Sequence, residues 1–371
     1  MSEHSPLFEP FRLGDLSLPH RIVMAPMTRR RAMAGKIPSP LAATYYAQRA
    51  GAALIISEST EVDPLSVGET PTRPGIFNNA QVEGWSRVTK AVHKAGGRIF
   101  LQLSHMGRSA LPEHLAGGGP PKGPSAIRAE GVHYTATGPV PFAEPVEMTT
   151  QEVRASIRHY SDGAARARAA GFDGVELHGA NGYLIDQFLR DGTNQRTDSY
   201  GGSVDNRFGF LAEILEQTLE HWPAQRVGVR LSPTNPFQGM SDSDPVRHFG
   251  RFAERLNDYR LAYLHVVEFP HQKPDRPEVA RHLREIFEGP FIAAEGFSRE
   301  AGEKWLREGR ADLVAYGKDF LANPDLAERW WQGAPLNVAD KATFYTAGSK
   351  GYIDYPKLVD TPLENTVGVA K

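Results

Sequence analysis

Eight short apolar runs alternate with longer amphipathic runs along this chain, and that alternation limits the fold more than any single motif. The runs are residues 21–25, 53–57, 98–103, 174–178, 227–231, 263–267, 291–294 and 313–316. Most are apolar nearly throughout, as in Ile22-Val23-Met24 and Leu54-Ile55-Ile56. Such runs suit parallel strands covered on both faces. Helical stretches fall between them. One opens at Pro40 after Ser39 and runs to 50, with proline at the first helical position. In 80–94, Val82, Trp85, Val88 and Val92 share one face, and Gly96-Gly97 ends the run. Thr149-Thr150-Gln151-Glu152 reads as a capping box whose helix ends near Gly171. Further helices are expected over 205–220, from Asp244-Pro245 to about Tyr259, and over 276–287, 298–307 and 323–331. The last has Asn323 as N-cap with Pro324 after it.

Eight βα units in succession predict an α/β fold closed as a (β/α)8 TIM barrel. An open, doubly wound sheet is the alternative, because local pattern does not show closure. The strand count favours the barrel. A length of 371 residues suggests two or three ordinary domains, yet α/β barrels of this size form one. With no linker and no fixed-period repeat, a single domain over 1–371 is expected.

Charge and composition exclude several function classes. Lys and Arg number 42 against 44 Asp and Glu, so no bulk field draws in nucleic acid or an anionic membrane. The chain has no cysteine, which removes disulfides, thiolate metal ligands, iron–sulfur clusters and a thiol nucleophile. No apolar run approaches the roughly 20 residues that span a bilayer. The segment from Met1 to Phe11 is polar and broken by proline, unlike a signal peptide. The expected setting is the cytoplasm, with small-molecule partners.

One spacing is irregular. Residues 104–148 separate the third strand from the helix that follows, and they include Gly117-Gly118-Gly119-Pro120-Pro121. Connections this long are functional lids or loose insertions. A lid is the better reading, because this one leaves the C-terminal end of a strand, where barrel active sites sit.

The residues just after each strand form one polar set: Pro26-Met27-Thr28, Glu58-Ser59, Gln102 and Ser104, His178 onward, Arg230, Glu268, Glu295-Gly296 and Gly317-Lys318. His178 and Asn181 can aim donors at one acceptor, and Tyr183 carries a hydroxyl suited to general acid work. A lone histidine would more simply tie down a turn; three such residues at a strand end favour a site. No second histidine stands at ligand spacing, which argues against a metal centre. The loops carrying Gly296 and Gly317-Lys318 follow strands seven and eight, the usual phosphate site of this fold. Arg230 puts a cation at the mouth, facing either a ligand or a carboxylate such as Glu176 or Glu58.

Several segments resemble the Old Yellow Enzyme family. They are Pro6-Leu7-Phe8-Glu9-Pro10, Ala25-Pro26-Met27-Thr28-Arg29, the run from Asn181-Gly182-Tyr183 to Phe188-Leu189, and the run from Asn194-Gln195-Arg196 to Asn206-Arg207. The tail Gly351-Tyr352-Ile353-Asp354-Tyr355-Pro356 matches too. The similarity extends from about Leu7 to Pro356, and the Asn194 to Arg207 run is its most specific part.

The resemblance implies an FMN-dependent ene-reductase that takes hydride from NADPH or NADH and passes it to an activated alkene such as an α,β-unsaturated carbonyl or nitro compound. It implies that Thr28 bonds the flavin C4 carbonyl, and that Pro26, Met27, Ser59 and Gln102 line or bind the ring. Arg230 would face the N1–C2 edge, and Gly296, Gly317 and Lys318 would hold the phosphate. His178 and Asn181 would grip the substrate oxygen, Tyr183 would protonate the α-carbon, and Phe344 and Tyr345 would close the pocket. Thr28, in a chain without cysteine, points to the branch with threonine at this position. Ser104 stands where many members have tryptophan, so a wider pocket is expected. Lys318 replaces the usual arginine and gives up its bidentate fork. A monomer or homodimer is expected. The competing readings are a flavin-free phosphate-binding barrel (an isomerase or lyase) and a non-catalytic flavin binder.

Overall fold

All eight apolar runs are strands, and they pair in a closed ring. The computed structural model describes residues 5–65, 72–115, 117–135, 138–268, 278–294 and 296–358. The strands are β1 (Ile22–Met24), β2 (Leu54–Ile56), β3 (Ile99–Ser104), β4 (Gly174–Gly179), β5 (Val227–Leu231), β6 (Tyr263–Val267), β7 (Phe291–Ala294) and β8 (Leu313–Tyr316). Each pairs in parallel with the next, and β8 returns to β1 with Ala315 opposite Val23. The open-sheet alternative is thereby set aside. The bounds of β5 to β8 are those expected from the sequence; β1 and β2 are shorter, and β3 and β4 run one residue further.

Side-chain alternation sorts the apolar residues into two cores. Val23, Leu54, Phe100, Tyr263, Ile292 and Leu313 meet inside the barrel. The antiparallel pair Phe11–Leu13 and Leu16–Leu18 adds Leu13, Leu16 and Leu18 to the same cluster. Its turn, at Gly14, lies against Gln225 just ahead of β5, so this hairpin closes the N-terminal end. The alternate residues, such as Ile55, Leu101 and Val175, pack outward against the helices.

The longer helices are α1 (Pro40–Gln48), α2 (Asn79–Lys94), α3 (Thr150–Ala169), α4 (Val204–Leu219), α5 (Pro245–Asn257), α6 (Val279–Ile286), α7 (Arg299–Arg307) and α8 (Leu326–Gln332). The capping box of α3 is present: Thr149 Oγ1 accepts from the Glu152 N–H at 3.2 Å, and Glu152 Oε2 accepts from the Thr149 N–H at 2.8 Å. Such a cap contributes about 1 kcal/mol. The start of the 276–287 helix lies partly outside the described residues.

The last helix departs from the sequence expectation. Asn323 is not its N-cap; that position is Asp325, and a separate short helix, Lys318–Ala322, precedes it. Asn323 is drawn away by other bonds: its Nδ2 donates back to Asp319 O at 2.9 Å, and its Oδ1 accepts from the more distant Asn337 N–H at 2.7 Å. Non-local partners outweighed a local capping pattern.

The long connection after β3 is pinned to the barrel. Arg108 donates to Ile127 O at 3.1 Å and to Gln238 O at 2.9 Å. Arg196 donates to Pro124 O at 3.2 Å and to Met148 O. It carries the hairpin Val132–Thr135 with Gly138–Pro141, on which Val132 and Tyr134 are exposed. Among the described residues no helix is long and apolar enough to cross a membrane.

Candidate active site

The barrel interior changes from apolar to polar halfway up. Glycines set the change. A Cβ on Gly228 would lie 2.3 Å from the Tyr263 ring, and one on Gly174 would lie 2.4 Å from Phe100. The two glycines therefore make room for two large rings, which stack at 5.9 Å. Two residues further along the same strands, the inward positions are Gln102, Glu176, Arg230 and His265, and His178 and Ser104 follow above.

Glu176 holds this layer together. It accepts from Gln102 Nε2 at 2.7 Å and meets His265 Nδ1 at 2.8 Å. Burial pushes its carboxyl up, but His265, Arg230 and Gln102 together bring it below the usual range, so it is ionised. It supplies the buried negative charge opposite Arg230. The other carboxylate considered, Glu58, is engaged elsewhere: its Oε2 accepts from the Arg29 N–H at 3.0 Å. Arg230 is 7% exposed, and its Nε has no hydrogen-bond partner. The Ser104 hydroxyl and His178 Nδ1 are likewise buried without a partner.

His178, Asn181 and Tyr183 come together above this layer. Burial, then Arg230, Arg73 and His265, hold the His178 imidazole well below its ordinary value, so it is neutral. Asn181 sits in the left-handed region at φ 57°, which asparagine tolerates. Its N–H donates to Ser232 Oγ at 2.7 Å, and its Oδ1 accepts from Asn235 Nδ2 at 2.9 Å. The amide oxygen is thereby used, and the amide NH2 remains as a donor. Behind it, Gly182 N donates to Asp186 Oδ2 at 2.9 Å, and Asp186 pairs with Arg190 at 2.8 Å. The Tyr183 ring lies 5.2 Å from the His178 ring and packs on Met106, Ala110 and Leu115 of the long connection.

The remaining candidates surround this group. Pro26, Met27 and Thr28 form the half-buried loop after β1, and Ser59 is buried after β2. Gly317 packs against Met27: a Cβ there would meet its sulfur at 3.3 Å. Lys318 is exposed at the start of its short helix, and Gly296 takes φ 72° with open space where a Cβ would stand. Glu295 lies outside the described residues. The C-terminal segment docks on the loop after β1, where Arg29 donates to Phe344 O at 3.3 Å and to Gly351 O at 2.8 Å. Phe344 is half-buried; Tyr345 is 57% exposed, with its ring 4.6 Å from the Arg30 guanidinium carbon.

Three residues of this site are given no role in the sequence reading, although Asp186 lies within the Asn181 to Leu189 run. Asn235 and Asp186 orient Asn181 and its turn, and Arg73 donates to the Tyr183 hydroxyl at 3.1 Å. Asn235 and Arg73 are isolated polar residues whose partners are distant in the chain, and the partner of Asp186 is hidden inside a turn. The most specific motif, from Asn194 to Arg207, turns out to be a clamp. Asn194 Nδ2 donates to Phe188 O and Tyr200 O at 2.7 Å each, and Arg207 donates to Leu189 O at 2.9 Å.

These residues fit a flavin mononucleotide. A buried guanidinium with an unpartnered Nε suits the electron-rich edge of the ring, Gln102 offers amide chemistry, and the late loops offer glycine backbone to a phosphate.

Comparison with known proteins agrees. Residues 6–337 match the model of the NADH:flavin oxidoreductase / NADH oxidase family. The chain is 42% identical to 12-oxophytodienoate reductase 1 of Oryza sativa subsp. japonica over 97% of this chain and 95% of that one. It is 40% identical to a probable flavin mononucleotide-dependent alkene reductase of Leishmania infantum, over 94% and 97%. The structure of the old yellow enzyme homologue from Zymomonas mobilis superposes with a TM-score of 0.91 at 41% identity, covering 94% of this chain and 99% of that one.

Proposed function

The chain belongs to the Old Yellow Enzyme family of NADH:flavin oxidoreductases, and from that premise we propose which side chains perform each part of its reaction. It is an FMN-dependent NAD(P)H ene-reductase acting on activated alkenes. When bound, FMN would supply the hydride chemistry between the nicotinamide and the alkene.

His178 and Asn181 are the electrophilic pair. Negative charge grows on the substrate oxygen as the alkene is reduced. Two preplaced neutral donors meet it there, and losing one such donor costs about 3–4 kcal/mol. The observation that carries this assignment is the Asn235 bond to the Asn181 oxygen, which leaves only N–H chemistry for a ligand. Tyr183 gives its proton to the α-carbon. Gln102, Arg230, Thr28, Ser59, Pro26 and Met27 hold the ring, with Glu176 balancing the Arg230 charge. Gly296, Gly317 and Lys318 hold the phosphate, and Lys318 acts as a point charge without a fork. Ser104 leaves the pocket wide, and Phe344 and Tyr345 bound it from the C-terminal segment.

We read the chain as one domain, with 104–148 as a lid over the pocket. Tyr183 packing on Met106, Ala110 and Leu115 supports that reading. The cytoplasm and a monomer or homodimer complete it.

Titration of the holoenzyme with phenol tests the donor pair, because a phenolate presents the same charged oxygen. His178→Ala and Asn181→Ala should each weaken binding at least tenfold while retaining FMN. Unchanged phenol affinity in both variants would remove the assignment.

A further inference from the structure

Arg73 belongs to none of the quoted sequence motifs, yet it touches the proposed proton donor. It sits between β2 and α2 and is 3% exposed. Its Nη2 donates to the Tyr183 hydroxyl at 3.1 Å, and its Nη1 to Ser59 Oγ at 3.3 Å and Met106 Sδ at 3.3 Å. The guanidinium carbon stands 5.5 Å from the Tyr183 ring centroid. One cation thus joins the loop after β2, the start of the long connection and the tyrosine above β4.

The chemistry of the pair is directional. A guanidinium only donates, so the Tyr183 oxygen is the acceptor in this bond. One of its lone pairs is fixed, and its own proton is left to point elsewhere. When that proton leaves, the oxygen becomes a phenolate already paired with a cation. A charge-assisted bond of this kind is about twice as strong as a neutral one. The bond therefore strengthens as proton transfer proceeds, which is the condition for lowering a barrier rather than tightening a ground state.

We propose that Arg73 is the positioning residue for Tyr183: it aims the hydroxyl proton into the pocket and stabilises the phenolate that remains. The inference rests on the reading of Tyr183 as proton donor. In the step, the Tyr183 O–H bond breaks and a C–H bond forms at the α-carbon. The electron pair for the new bond comes from the enolate double bond, whose carbonyl re-forms. The negative charge stays on the Tyr183 oxygen beside Arg73 until water reprotonates it.

The test separates the two half-reactions by rapid kinetics of holoenzyme variants. Arg73→Ala should slow reoxidation by 2-cyclohexenone roughly ten- to hundredfold. Flavin reduction by NAD(P)H, and reoxidation by ferricyanide, which takes no proton from Tyr183, should stay within about twofold of wild type. Arg73→Lys should recover part of the loss, and added guanidinium should partly rescue Arg73→Ala. Arg73→Gln, which keeps a donor without charge, serves if the alanine variant loses FMN, and it should be slow as well. In a Tyr183→Phe background the Arg73 substitution should have no further effect. A loss of equal size in that background, or equal slowing with ferricyanide, overturns the proposal. A Tyr183→Phe enzyme at wild-type speed with enone sinks the Tyr183 reading itself; a slow Tyr183→Phe beside an unaffected Arg73→Ala sinks only the role of Arg73.

Discussion

Asn235 Nδ2 donates to the side-chain oxygen of Asn181 at 2.9 Å, across the gap between the loops that follow β4 and β5. That bond decides which end of the Asn181 amide is free. The backbone is fixed by a second bond, from the Asn181 N–H to Ser232 Oγ at 2.7 Å. The proposed donor pair thus depends on the loop after β5 as much as on its own.

Asn235→Asp should therefore harm ligand binding more than Asn235→Ala. An aspartate faces the Asn181 oxygen with a second acceptor and drives the amide to turn over, presenting oxygen to the ligand. The loss is that of a hydrogen bond to a charged group, about 1.5–3 kcal/mol. Phenol affinity of the holoenzyme should fall at least tenfold in the aspartate variant. Equal affinities in Asn235→Asp and wild type would remove this account of the amide orientation.

Tyr183→Phe should slow enone reduction and spare flavin reduction. A positioned general acid contributes roughly a hundred- to ten-thousandfold, and in the proposed role the hydroxyl serves only the proton-donating half. Rapid kinetics with NAD(P)H and with 2-cyclohexenone read the two halves apart. Equal loss in both would refute the role.

The barrel was legible because its strands are short apolar runs, and β5 to β8 needed no tertiary information. The gathering of His178, Asn181, Tyr183 and Arg230 at one end of the barrel was legible for the same reason, since a barrel brings strand-end positions to one face. What stayed hidden depends on pairs far apart in sequence. Asn323 reads as a cap until Asn337 is seen beside it. Arg73 is an unremarkable arginine between Thr72 and Pro74 until the fold brings Tyr183 to it. Glu176 was a candidate partner for Arg230, but its bonds to Gln102 and His265 appear only once neighbouring strands are in register.

Ser104→Trp should narrow the range of enones accepted or invert the face that is reduced. Ser104 ends β3 with its hydroxyl buried and unpartnered, so a larger ring there takes volume from the pocket rather than from a bonded network. Product stereochemistry across a panel of bulky enones is the measurement, and an unchanged panel counts against a wide pocket at this position.

Acid stability should carry the mark of His178. Burial, then Arg230, Arg73 and His265, keep the ring neutral in the fold, well below its ordinary 6.5. The unfolded chain takes up a proton on the same side chain below about 6.5, and the folded chain does not. The unfolded state then binds more protons, so stability is full above that value and declines as pH falls below it. The decline from this one group is at most about 1.4 kcal/mol per pH unit. His178→Asn removes this contribution. Its Tm should drop less steeply than that of wild type between about pH 6.5 and pH 5, whatever its value at neutral pH. Parallel slopes would mean that the folded enzyme protonates His178, and a charged imidazole would then replace the neutral donor assigned to it.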